Sequence, residues 1–189
     1  VLIISNDDPV WLIPSWKKVI EMHSKNLDFL GIVYLPEKLK NFNFFQTIFY
    51  YLKTFGVIEF ILLSLFGVKR IIKNKFNRIL EYENIDKTYL KNFSVEKIKQ
   101  IIYEKDPEII FITCSYIIPK ELISINKEII WVNKHASLLP QTRGIFPYVW
   151  NVILERKQGL TFHEVNEKID TGNIIYQEEI KNTSSMTDF

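Results

Sequence analysis

Apolar positions along the 189-residue chain gather in two kinds of block. Short runs that are apolar on both faces recur as VLIIS, LDFLGIVYLP, PEIIFITC and EIIWVNKH. Between them lie segments with helical spacing, VWLIPSWKKVIEMHSK, SVEKIKQIIYEK and the short PKELISI. Strands without a polar face need cover on both sides, and their alternation with helices predicts an α/β fold, an open and mostly parallel sheet with helices on both faces. Asp7 or Asp8 is placed to cap the first helix with Pro9 near its first turn, and Pro14 either kinks that helix or delays its start. Ser94 caps the later one, and RILEYE reads as a further strand.

Polarity changes near the C-terminal end of the pattern. LTFHEV alternates as a strand, NEKIDTG is turn-like, and NIIYQEEI returns as a strand. At the exit of EIIWV stands NKHASLLP, Asn133 to Pro140. Alternate side chains of a strand share a face, so Asn133 and His135 point the same way with Lys134 opposite. In open α/β sheets ligands collect at the carboxyl ends of strands, and this is one of them. Asp170, in the turn-like stretch, can fold back onto the pair, although spacing alone does not bring the three together.

One block fits neither class. FFQTIFYYLKTFGVIEFILLSLF, Phe44 to Phe66, has the length of a membrane span and runs into the basic VKRIIKNKFNR. Lys53 and Glu59 would each cost about 2.5 to 3.5 kcal/mol near a bilayer centre. Gln46 and Gly56 weaken a span further, so a transmembrane helix is rejected. Two readings stay open: a helix pair covering the sheet, or a surface that makes a peripheral membrane contact or a homodimer face through residues 44–66.

Composition narrows the classes. With 24 basic against 22 acidic residues and a net charge of +2, nothing suggests a chain built to coat nucleic acid. A lone Cys114 excludes an internal disulfide framework and fits a reducing, cytoplasmic setting, and IIFITCS makes it a buried strand residue. VLIIS is too short and lacks the basic leader of a signal peptide. The chain begins at Val1 rather than Met and stops soon after KNTSSMTD, so it is read as part of a longer protein. No Walker loop, glycine-rich dinucleotide fingerprint or His-Glu-x-x-His is present. SNDDP carries acidic side chains where a phosphate cradle wants bare amides.

NKHASLLPQTRGIFP followed by GLTFHEVNEKIDTGNIIYQ resembles the formyltransferase family that uses N10-formyltetrahydrofolate, whose signature is Asn-x-His-x-Ser-Leu-Leu-Pro, Arg-Gly-x-x-Pro, and His-x-x-x-x-x-x-Asp-x-Gly. The resemblance runs from about Ile109 to Gln177. It implies a Rossmann-like sheet, a catalytic domain over residues 1–180 with 181–189 beginning a tail or a missing C-terminal region, and Asn133, His135 and Asp170 as catalytic trio. It also implies that Tyr116, Ile117 and Ile118 match the segment holding the pterin, that Asn166, Glu167, Lys168, Ile169 and Asp170 match the loop closing over it, and that Arg143 belongs to the cofactor contacts. Some members carry an Arg directly after the Gly of Arg-Gly; this chain has Ile145 there.

The chemistry explains the residue types. An amine attacks the formyl carbon, and donors aimed at the developing oxyanion lower the barrier, each worth about 2.7 to 4 kcal/mol. Asn133 and His135 suit that role; Asp170 fixes the His tautomer and accepts the amine proton directly or through water. His163 reads as a structural hydrogen-bonding residue and His23 as solvent-facing.

The acceptor varies within the family. A glycinamide enzyme would have a Gly/Ser-rich loop in place of SNDDP, and a methionyl-tRNA enzyme is only partly echoed by PVWLIPSW. Sugar N-formyltransferases, acting on a nucleotide-linked amino sugar for O-antigen or other surface polysaccharide synthesis, resemble the chain best, and formyltetrahydrofolate hydrolysis is a further alternative. Outside the family, His135, His163 and Asp170 have the composition of a two-His, one-carboxylate metal hydrolase site, and the aromatic block suits a non-catalytic interaction domain.

Overall fold

Runs that are apolar on both faces become fully buried strands. In a computed structural model, which describes residues 1–36, 42–77 and 85–180, β1 (Leu2–Asn6) and β2 (Gly31–Leu35) are buried at every position. Between them α1 (Leu12–His23) buries Ile13, Trp16 and Ile20, a stripe at helical spacing, and leaves His23 exposed. Neither Asp7 nor Asp8 caps α1, since the N-cap is Trp11 without a side-chain capping bond; Asp8 instead closes the turn before the helix, Oδ1 accepting the N–H of Val10 at 2.7 Å and of Trp11 at 3.1 Å. Pro14 lies in the first turn, where its missing N–H leaves no gap in the ladder, so the helix starts late instead of kinking.

β3 (Lys87–Tyr89) pairs parallel with β2, Val33 opposite Thr88. The RILEYE segment lies outside the described residues; the strand paired with β2 comes from a stretch the pattern does not single out. α2 (Phe44–Phe55) opens on a capping box, Asn43 and Gln46 exchanging backbone-to-side-chain bonds of 2.9 Å. Gly56, at φ 87°, ends it, and α3 (Val57–Asn77) leaves at 119° to α2. Among the described residues no single helix is long and apolar enough to cross a membrane. Phe45 and Phe49 are 78% and 70% exposed and Ile58 70%, which favours the surface-contact reading of this block over sheet cover. These elements belong to one compact unit, Ile3–Phe93 with Cys114–Tyr116, whose strand order is β3-β2-β1.

The other unit comprises Val1–Leu2, Ser94–Thr113 and the chain from Ile117 onward. Ser94 Oγ accepts the N–H of Lys97 at 3.3 Å and caps α4 (Val95–Lys105), which buries Ile98 and Ile102. β4 (Ile109–Thr113) and β5 (Ile130–His135) are parallel, joined through α5 (Lys120–Ile123). After β5 come α6 (Pro147–Ile153), which the pattern does not announce, and the hairpin of β6 (Gly159–Glu164) and β7 (Ile174–Glu179). β6 runs antiparallel to both β5 and β7, so the order β4-β5-β6-β7 ends in a meander. Among the described residues seven strands, mostly parallel and connected through helices, give the expected Rossmann-like α/β fold, mixed by that meander.

Cys114 corrects the sequence reading. It lies one residue past β4 and is half-buried, because the backbone leaves the strand at Thr113 and Ser115 N–H bonds Asn6 Oδ1 at 2.7 Å. Burial of the thiol itself pushes it up to about 11.

Candidate active site

Strand register brings the polar groups together. Asn133 stands opposite His163 of β6, and His135 opposite Thr161, so alternation sets Asn133, His135, Thr161 and His163 on one face. The turn between β6 and β7 returns Asp170 to that face. Asp170 adopts φ 50°, a left-handed conformation uncommon for a residue with a side chain and characteristic of functional turns.

Its carboxylate collects four neighbours. Oδ2 accepts the N–H of Gly144 at 2.8 Å and lies 3.5 Å from His135 Nδ1. Oδ1 accepts a long 3.4 Å bond from Asn133 Nδ2 and lies 3.5 Å from His163 Nε2. Three candidate residues from separate parts of the sequence therefore meet, as the motif implies, and the meeting point is a side chain only 10% exposed.

Proton positions follow from the fixed acceptors. His135 Nε2 faces the Thr142 carbonyl at 2.6 Å, so it must carry a hydrogen and donate it. His163 Nδ1 likewise donates to the Glu164 carbonyl at 2.7 Å. A neutral His163 then accepts from Asn133 Nδ2 at 3.1 Å; a protonated one cannot, and donates toward Asp170. Burial lowers the affinity of His163 for that second proton, but its bonds to Asp170 and the Glu164 carbonyl and the charge of Asp170 outweigh it, and the imidazole titrates above its ordinary value. Burial alone would raise Asp170; its bonds with His163 and Gly144 and the electrostatic pull of both imidazoles hold it below the usual carboxylate range.

The loop after β5 is held by a buried polar chain. Thr142 Oγ1 donates to Asn151 Oδ1 at 2.6 Å, Asn151 Nδ2 donates to Ser137 Oγ at 2.9 Å, and Thr161 Oγ1 donates to the Ser137 carbonyl at 2.6 Å. Arg156 Nη1 donates to the Gln141 carbonyl at 2.6 Å. These contacts place the Thr142 carbonyl that fixes His135. Gly144 sits at φ 91°, and a Cβ on Gly172 would overlap the Glu164 carbonyl, so both turns that frame Asp170 depend on glycine.

His163 and Asn151 are the residues that sequence reasoning underrated. Pairing of LTFHEV against EIIWVNKH was the available signal for His163, since it sets that ring opposite Asn133. Asn151 gave none, lying on a short helix that the pattern missed. For His135 the structure adds a restriction: Nε2–H is committed to Thr142 and Nδ1 faces Asp170, so donation to a substrate oxygen requires exchange of one of these contacts.

The expected cofactor residues are distributed as follows. Arg143 is exposed and makes no hydrogen bond or ion pair among the described residues, and Ile145 beside it is exposed. Asn166 Oδ1 closes its own turn, accepting from Lys168 N–H at 3.0 Å and Thr171 Oγ1 at 2.8 Å. Glu167 pairs with Lys120 at 2.6 Å on the surface, and Ile169 is half exposed. Ile117 is exposed and Ile118 buried. Tyr116, in the other unit, donates from its hydroxyl to the Pro36 carbonyl at 3.1 Å and stacks on Phe93 at 5.0 Å. Among the described residues no group of three His, Cys, Asp or Glu has the arrangement to hold a metal ion; the two imidazoles turn one nitrogen each to a backbone carbonyl and the other to opposite oxygens of Asp170.

Comparison with known proteins bears on this constellation. The formyl transferase family profile matches residues 69–188. A methionyl-tRNA formyltransferase of Clostridioides difficile (strain 630) is 30% identical over 177 residues, 93% of this chain and 48% of that protein. Another from Prochlorococcus marinus (strain AS9601) is 43% identical over 75 residues, 38% of this chain and 23% of that protein. The chain thus spans about half the length of the first relative and less of the second. Among solved structures, a sugar N-formyltransferase from a Shewanella species has a TM-score of 0.54 at 22% identity, covering 95% of this chain and 56% of that one. A phosphoribosylglycinamide formyltransferase from Anaplasma phagocytophilum has a TM-score of 0.62 at 15% identity, with 95% and 70% covered. At these identities the structural likeness speaks for the fold.

Proposed function

Since the chain belongs to the formyl transferase family, we propose that it moves a formyl group from N10-formyltetrahydrofolate to an amine, with Asn133, His135 and Asp170 as its catalytic residues. The observation that carries the reading is the Asp170 carboxylate, engaged at once by Asn133, His135, His163 and the Gly144 amide. The donor set fits such a co-substrate: two neutral or cationic nitrogen donors and one carboxylate suit an oxygen that gains charge beside an amine that loses a proton. Bound, N10-formyltetrahydrofolate supplies an electrophilic formyl carbon. Asn133 Nδ2 holds Asp170 by a long bond of 3.4 Å, and that hydrogen is readily turned to a substrate oxygen. Gly144 N–H keeps the carboxylate in place while Asp170 accepts a proton, and the Thr142 carbonyl keeps His135 in one tautomer. Arg143 and the 166–170 turn are proposed to contact the co-substrate.

The acceptor we favour is the amino group of a nucleotide-linked amino sugar. A glycinamide ribonucleotide is disfavoured because the amides at the entry of α1, the natural phosphate cradle, already bond Asp8. Methionyl-tRNA is the second reading, supported by the names of the sequence relatives.

Tetrahydrofolate release from N10-formyltetrahydrofolate tests both. Release that needs an amino-sugar nucleotide and is lost in Asp170→Ala supports the proposal, whereas release with charged initiator tRNA alone selects the second reading. Release in water without acceptor points to a hydrolase, and full activity in Asp170→Ala removes the assigned trio.

A further inference from the structure

α2 and α3 carry no residue of the site, yet they expose more apolar surface than packing explains. Phe45, Phe49, Ile58, Ile61, Leu62 and Leu65 are all exposed, Leu65 by 63%. An open groove of about 410 Å³ on α2 is lined by Phe42, Phe45, Gln46, Phe49, Tyr50 and Lys53. Charge along the same two helices is one-sided: the sequence from Phe44 to Asn77 contains Lys53, Lys69, Arg70, Lys73 and Lys75 against the single acid Glu59. Four of the five follow the apolar part of α3.

We propose that this helix pair is a docking surface for an anionic lipid membrane, lying in the interface rather than crossing it. Neither helix is both long and apolar enough to cross alone: the 12 residues of α2 reach about 18 Å, and α3 is uncharged past Glu59 only as far as Val68, about 18 Å from its start, against a hydrocarbon layer of roughly 30 Å. The 119° turn at Gly56 also prevents one straight span. Exposed aromatic and aliphatic side chains with Lys53 and Lys69 exposed among them, followed in the sequence by a basic run, match the requirements of the headgroup boundary. A second copy fits less well, because a two-fold interface sets a patch against itself, and the exposed Lys53 and Lys69 would be carried toward the same basic excess with Glu59 as the one exposed carboxylate described on the pair.

Flotation of the full chain with vesicles provides the test. Vesicles of equal parts phosphatidylcholine and phosphatidylglycerol should carry the protein at low salt and release it at high salt, while phosphatidylcholine alone should carry little. Each reversal in Lys53→Glu and Lys69→Glu, both exposed side chains, changes the local charge by two and should weaken partitioning about 30-fold. Phe45→Ser with Phe49→Ser should weaken it further at unchanged circular dichroism, and the lysine variants keep the test sharp should the phenylalanine pair unfold the helix. No flotation of folded wild type with anionic vesicles, or flotation indifferent to the lysine reversals, overturns the proposal. Loss of a stable dimer in the phenylalanine variant, with vesicle binding unchanged, would assign the surface to a second copy.

Discussion

Asp170 combines a buried carboxylate, a left-handed backbone and contacts to two imidazoles. In Asp170→Asn the amide oxygen still accepts the Gly144 N–H, but the charge is gone; kcat should fall about 10²- to 10⁴-fold in the tetrahydrofolate release assay, the range of a lost general base. The titration of the same cluster should be visible in stability. Asp170 is depressed in the folded state, so its contribution is complete above the unfolded value of about 3.9 and fades as pH falls through the lower folded value. His163 is raised, so its contribution is complete below about 6.5 and fades as pH climbs through the higher folded value. Tm against pH should therefore be flat from about 4 to 6.5 and decline on both sides. In Asp170→Asn the alkaline decline should shrink, since Asp170 lifts His163 more than the Glu164 carbonyl does. An unchanged alkaline limb would mean another partner does so.

Elements set the precision of the site through two glycines and one asparagine. Gly172→Ala pushes a methyl into the Glu164 backbone carbonyl, which cannot move without opening the β6–β7 turn, and should cost about 2 to 3 kcal/mol in urea unfolding. Gly144→Ala has open space but keeps an unfavourable φ, and should cost only about 1 kcal/mol. Equal costs would show that overlap at Gly172 is relieved in some other way. Asn151→Ala strips partners from Thr142 and Ser137, worth about 1 to 3 kcal/mol, and loosens the carbonyl that pins His135. Its signature should be a lower kcat at nearly constant KM. These elements also show what was legible beforehand. Asn133 and His135 follow from strand alternation, and Asp170 from its turn and motif. α6 was missed because seven residues give too little periodicity to register, and β3 because three residues alternate too briefly. His163 needed strand register, which pairing decides and spacing does not.

At the scale of the whole molecule, the apolar block 44–66 was ambiguous for a physical reason: amphipathic pattern measures how apolar a helix is and not what covers it. Cys114 offers a reporter on the unit that contains that block. A thiol at about 11 holds roughly a hundredth or less of the thiolate an unperturbed cysteine has near pH 8. Its labelling by a disulfide reagent should be at least about 100-fold slower in the native protein than in urea, and comparable rates would show that the unit opens readily. The meander has a different bearing, on the order in which the molecule acquires its structure. β6 and β7 pair across one turn, Phe162 opposite Tyr176 only 14 residues on and His163 opposite Ile174 only 11, against 21 from Ile109 to Ile130 in the parallel β4–β5 pair. Loops that short close early compared with parallel crossovers from distant sequence. The β6–β7 turn that carries Asp170 should therefore belong to the folding nucleus, so that Gly172→Ala slows refolding in a chevron measurement instead of merely hastening unfolding.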